Sequence, residues 1–113
     1  MTRYPFTTED VERALVDLGE SVDAVAATLT TQGFKGEVDD CQRCPVAVYL
    51  LAVVEELADV QVGDDFCALT GYRLIDGHPQ AMELRAMVPD AVYDFIHDFD
   101  GHAYPELVRE AAA

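Results

Sequence analysis

The sequence predicts an α+β fold in which N-terminal helices and an apolar central helix pack with a small antiparallel sheet of two or three strands and a C-terminal helix. Three observations carry that expectation. Apolar residues recur at helical spacing from Val11 to Leu29 and again from Val92 to Phe99. An apolar run over 46–54 begins just after Pro45, and between Val60 and Met87 the spacing shortens to a period of two. A length of 113 residues suits a single domain, 1–113, able to bury roughly two-thirds of its unfolded surface.

Thr7 or Thr8 is placed to cap a first helix, with Glu9 and Asp10 at its positive end. Val11, Leu15, Leu18, Val22, Val25 and Leu29 continue the apolar stripe. Gly19 interrupts it and Ser21 can cap afresh, so the stretch reads as one kinked helix or two short ones, closed at Gly33. A polar loop over 33–43 follows. Pro45 suits the first position of the central helix, where its missing N–H costs nothing. A helix apolar on every side is central to its fold or half covered by a partner subunit, and Glu55 and Glu56 return the chain to water.

Val60 and Val62 alternate, Gly63-Asp64-Asp65 reads as a turn, and 66–69 is placed to pair back as a hairpin that 72–75 extends after Gly71. Asp76-Gly-His-Pro79 reads as a breaker. Met82, Leu84 and Ala86 alternate with Glu83, Arg85 and Met87, giving a third strand, with a short helix as the alternative. Pro89 opens the last major helix, whose Val92, Phe95, Ile96 and Phe99 form one buried face, and Gly101 ends it. A short turn or helix from Tyr104-Pro105 to Arg109 follows.

Half the residues are hydrophobic, which sets the chain apart from disordered acidic sequences. Its longest apolar run is nine residues, against about twenty for a membrane span. No basic segment followed by an apolar one opens the sequence, and three cysteines, an odd number, fit a reducing compartment better than a disulfide framework. The expected location is cytoplasmic. The net charge of −15 repels phosphate and anionic lipid, arguing against direct nucleic-acid or membrane binding, and attracts basic proteins. A single lysine against six arginines, with abundant Ala, Val and Asp, is also the bias of a high-GC genome or a halophile, which raises acidity without any function.

Cys41-Gln-Arg-Cys44 is the most pointed chemical constellation. Two thiolates at this spacing can share a tetrahedral zinc, with Cys67 and His78 available to complete the set. No second paired set exists, so no cofactor is favoured. As a redox dithiol the pair gains from the helix N-terminus, which favours the Cys44 thiolate, yet it lacks a preceding strand. The competing reading makes Cys44 a small apolar cap and Cys41 incidental. Ser21, the only serine, reads as a helix cap, and a Cys44 pairing with His97 or His102 cannot be inferred from separations in sequence. Gly33-Phe-Lys-Gly36 lacks phosphate-loop spacing, and Asp98-Phe-Asp-Gly101 lacks the ligands of a calcium loop.

Asp90, Asp94 and Asp98 recur every four residues on one face of the last helix, beside Asp100, with only His97 to offset them. Like charges at this spacing cost a few tenths of a kcal/mol each, which marks the stripe as a candidate surface for a basic partner; a solvated face is the alternative.

Cys44-Pro-Val-Ala-Val-Tyr-Leu50 resembles the Cys-Pro-x-Ala-x-Tyr-Leu helix start of a group of small actinobacterial and actinophage proteins. Pro89, Val92, Phe95, Ile96, Phe99 and Asp100, followed by Tyr104-Pro105 and Leu107, are similar to the closing helix and tail of that group. Gly101 departs from the pattern, which sets one residue between the aspartate and the glycine. The resemblance covers about half the chain and implies an actinobacterial or phage origin and a one-domain fold; no activity is assigned to the group.

The leading expectation is a non-enzymatic interaction protein that meets a partner through an acidic face, acting on a host factor if phage-borne, or mimicking nucleic acid. A zinc or thiol protein using Cys41 and Cys44 is one alternative. A homo-oligomer built on the apolar central helix is the other.

Overall fold

The computed structural model describes residues 3–63 and 65–109 and has the predicted α+β architecture. Asp64, in the expected turn between the first two strands, lies outside the described residues.

Helix α1, Thr8–Val16, starts where Thr7 Oγ1 accepts a hydrogen bond from the Asp10 N–H at 3.1 Å. Its hydroxyl in turn donates to the Asp10 carboxylate at 2.6 Å. The kinked-or-split alternative resolves into two helices. The chain leaves α1 at Asp17, turns through Gly19, and restarts as α2, Val22–Gln32, where Ser21 Oγ accepts from the Ala24 N–H. Gly33, at φ 78°, closes α2 in the left-handed region.

Helix α3, Pro45–Val53, has Cys44 at its cap and buries Val46, Ala47, Tyr49, Leu50 and Val53. Its apolar surface is mostly consumed inside the chain, against α1, α2 and the first strand. Leu51 is 40 % exposed, with Val48 and Ala52 half-buried beside it. The broad bare face that motivated an oligomer on this helix is therefore reduced to a narrow strip. The Tyr49 hydroxyl donates to the Ala14 carbonyl at 2.7 Å, and its ring meets Phe34 edge-on at 5.7 Å between centroids. The N-terminal segment is clipped alongside: the Tyr4 N–H donates to the Val53 carbonyl and the Glu55 N–H to the Tyr4 carbonyl, both at 2.8 Å.

The sheet is an antiparallel meander of β1 (Leu57–Val62), β2 (Phe66–Ile75) and β3 (His78–Met87), in that order. Strand β2 runs through Gly71 to Ile75, as expected. One expectation changes here: the breaker at 76–79 is only a two-residue turn. Asp76 and Gly77 both have positive φ, which matches the twist of the flanking strands, and β3 resumes at His78. Pro79 is tolerated because β3 has one neighbour, so its missing N–H faces away from the ladder. The alternation predicted for 82–87 holds: Ala86 is buried, Met82 and Leu84 are half-buried, and Glu83, Arg85 and Met87 are exposed.

Helix α4, Asp90–Asp100, lays Val92, Phe95 and Phe99 into the core and packs on α2. The chain then turns through a short 3-10 helix, Pro105–Leu107. It joins the loop after α2: the Gly36 N–H donates to the Leu107 carbonyl at 2.9 Å, and the Arg109 N–H to the Gly36 carbonyl at 2.7 Å. Among the described residues no buried side-chain polar atom lacks a partner. No helix there is long and apolar enough to cross a membrane.

A Cβ at Gly36 would press into the backbone of Arg43, Cys44 and Pro45, whereas one at Gly33 would meet nothing within 4 Å. Gly36→Ala should therefore cost about 2 kcal/mol or more, and Gly33→Ala, penalised only by its backbone conformation, about 1 kcal/mol. Urea midpoints compared at equal m-value check the order.

Candidate functional site

The fold keeps Cys41 and Cys44 beside one cavity and removes His78 from the constellation. Cys41 is exposed in the loop before α3, Cys44 is buried at the helix cap, and Cys67 is buried on β2. All three are free thiols. Cys67 pairs with Ala86 at the base of the β2–β3 hairpin, while His78 pairs with Ile75 at its tip. Eight strand steps separate the two positions, about 26 Å. His78 therefore cannot join Cys67 on one ion. Among the described residues no group of three or more His, Cys, Asp or Glu is arranged to hold a metal.

Cys44 Sγ accepts from the Ala47 N–H at 3.5 Å, the role of a small capping residue. The expected lowering of its pKa is reversed. Burial pushes the Cys44 thiol up to about 11, outweighing the backbone N–H groups of Ala47 and Val46 that pull the other way. Burial does the same at Cys67, also to about 11. A shallow cavity of about 310 Å³ lies beside Cys41 and Cys44, walled by Asp39, Asp40, Ile96 and Asp100; neither His97 nor His102 reaches it. Ser21 is committed to its helix cap.

The acidic stripe on α4 divides. Asp90, Asp94 and Asp98 are exposed, and Asp94 and Asp98 flank a cleft with Tyr93, His97 and Val22 at the start of α2. Asp100 turns away from them. Its Oδ1 accepts from the Asp39 N–H at 3.0 Å and steadies the loop at a residue with φ 57°. Asp100 is therefore a structural anchor of that loop.

The feature that sequence reasoning missed is the exposure of the distal half of the β2–β3 hairpin. Every residue over 72–81 is exposed, so the distal half of the hairpin stands clear of the core. Among the described residues seven large apolar side chains are exposed, and Phe66, Tyr72, Leu74, Ile75 and Met87 all lie on these two strands. Leu74 is 72 % exposed and Met87 64 %. By register Phe66, Tyr72 and Leu74 share the open face with Met87, Ala81 and Pro79. Arg85 crosses it with its guanidinium 4.8 Å above the Phe66 ring. The sequence held one signal of this, an Asp-Gly pair between alternating strands long enough to outrun the core they cover.

Tyr72, Leu74 and Pro79 also line, with Pro5 and Phe6, a half-open cleft of about 450 Å³. Glu55 and Glu56 form its acidic end, and Arg73 is tied back by donating to the Phe6 carbonyl. No protein-family description, curated protein or solved structure matches this chain.

With Cys41 exposed and Cys44 and Cys67 buried, native protein should titrate a single thiol with an aromatic disulfide reagent, and Cys41→Ser should abolish that reaction; denaturant should expose three in the wild type. The folded thiol pKa values exceed the ordinary 9.0, so their contribution to stability is intact below about pH 9 and is lost as pH rises through about 11. Tyr49 shifts upward for the same cause, burial. Thermal midpoints measured between pH 8 and 11 should fall with pH, and a flat profile would contradict the assignment.

Proposed function

We propose that the chain is a small acidic protein-interaction module, without catalytic activity of its own, that docks a basic protein through the β2–β3 hairpin. The observation that supports this most is the concentration of exposed apolar side chains on that hairpin, beside a cleft ending in Glu55 and Glu56. Large apolar side chains gathered in water are unfavourable for a monomer and mark an interaction site. The cleft suits a partner segment that offers an aliphatic or aromatic side chain next to a lysine or arginine. The net charge of −15 steers such a partner from a distance, while apolar contact holds it. The resemblance to actinophage proteins adds a host protein as a source of that partner.

Nucleic-acid mimicry is a narrower form of the same reading, favoured by Asp90, Asp94 and Asp98, which stand exposed with no lysine or arginine on α4. The remaining acids are spread from α1 to the last turn, which favours steering by overall charge over a phosphate-like row.

Immobilised protein should capture a specific basic protein from nuclease-treated lysate at roughly 0.1 M salt and hold it less well near 1 M. Leu74→Asp should remove the capture with the thermal midpoint little changed, since Leu74 is 72 % exposed. Asp94→Asn with Asp98→Asn should weaken capture without abolishing it. Loss of capture through the aspartates alone, together with competition by DNA, would transfer the site to α4. No specific capture at either salt would overturn the reading.

A further inference from the structure

The two edges of the sheet are treated differently. On β1 the outward N–H of Val60 is taken by the Asp59 carboxylate at 3.0 Å, and that of Val62 by the Cys41 carbonyl at 2.9 Å. On β3 the two-residue turn fixes which groups point outward. Ile75 and His78 close the turn as a hydrogen-bonded pair, so even-numbered residues of β3 bond to β2 and odd-numbered ones face away from it. Met87 and Val88 follow this parity: the Met87 N–H donates outward to Glu12 Oε2 at 2.7 Å, and the Val88 N–H donates inward to the Asp65 carbonyl at 2.9 Å. Pro79 has no N–H to offer at the other end. The open edge is thus Ala81, Glu83 and Arg85.

We propose that this edge pairs with the same edge of a second copy, joining two three-stranded sheets across a two-fold axis at Leu84. Antiparallel pairing of identical strands admits only a few registers that match outward groups to outward groups. Setting Glu83 opposite Glu83 or Arg85 opposite Arg85 places like charges in contact, which is destabilising. Setting Leu84 opposite Leu84 places Glu83 opposite Arg85 twice, once in each half, and brings both into hydrogen-bonded positions. Glu83 has no ion-pair partner among the described residues of its own chain, and both it and Arg85 are exposed. The charge pattern therefore selects one register of self-association, and does so independently of any partner bound by the hairpin. The net charge of −15 on each copy opposes the approach, so association is to be measured at about 0.15 M salt, where exposed charges more than roughly 8 Å apart are largely screened.

Sedimentation velocity over a concentration series up to about a millimolar should show the wild type moving from monomer to dimer, with affinities in this range readable directly. Glu83→Arg and Arg85→Glu should each weaken the dimer about tenfold, as two attractive cross-strand pairs become repulsive. The double exchange should restore it. Glu83→Arg makes each copy less acidic, so general charge repulsion alone predicts the opposite sign for that variant. Unchanged thermal midpoints confirm that the variants fold. A monomer at every concentration, a dimer indifferent to the single reversals, or a double exchange that fails to restore association would each overturn the proposal.

Discussion

Burial of α3 is the constraint on which the rest of the structure depends. A nine-residue helix with no charged residue can leave little of its surface in water. Helices α1 and α2, strand β1 and the N-terminal segment each take part of it. The polar atoms brought along are satisfied locally, the Tyr49 hydroxyl by the Ala14 carbonyl and the Tyr4 hydroxyl by the Asp17 carboxylate at 2.6 Å. Cys44 begins this helix from a buried position, and that burial explains its raised pKa. A thiol placed to start the central helix is poorly placed for chemistry.

The helices were legible because their signals are local. Thr7, Ser21 and Gly33 act within one turn of where they stand, and the spacing of Val92, Phe95 and Phe99 reports directly which face of α4 is buried. Strands were harder. Pro79 carries opposite meanings at an edge and in a centre, and only the strand order distinguishes them. Tyr72, Leu74 and Ile75 look like core residues in sequence. Their exposure follows from the length of the hairpin relative to the body beneath it, which no local pattern encodes. Asp100 misled for a related reason. Two residues past Asp98, it lies on another side of the helix, where the loop at Asp39 needs an acceptor.

The exposed apolar side chains are distributed unevenly in a way that composition alone does not convey. The acids are spread along the chain, while five of the seven exposed large apolar side chains among the described residues lie on one hairpin. Of the arginines, Arg3, Arg13 and Arg43 make exposed ion pairs with Glu55, Asp10 and Glu37, contacts worth little in stability. Arg73 and Arg85 instead hold the hairpin's neighbourhood in place, one through the Phe6 carbonyl and the other over the Phe66 ring.

The cleft beside the hairpin joins the most local pairing in the chain to one of the most distant. Its outer wall belongs to strands joined by a two-residue turn, which closes quickly because few residues separate the pairing partners. Its inner wall, Pro5 and Phe6, is held by Tyr4 pairing across some fifty residues to Val53 and Glu55, which must wait for the intervening helices to collapse. One wall is therefore an early product of folding and the other a late one. Order of formation does not set order of opening: Tyr4 and Phe6 are buried while residues 72–81 are all exposed, so local opening starts at the hairpin tip and widens the cleft from its outer side.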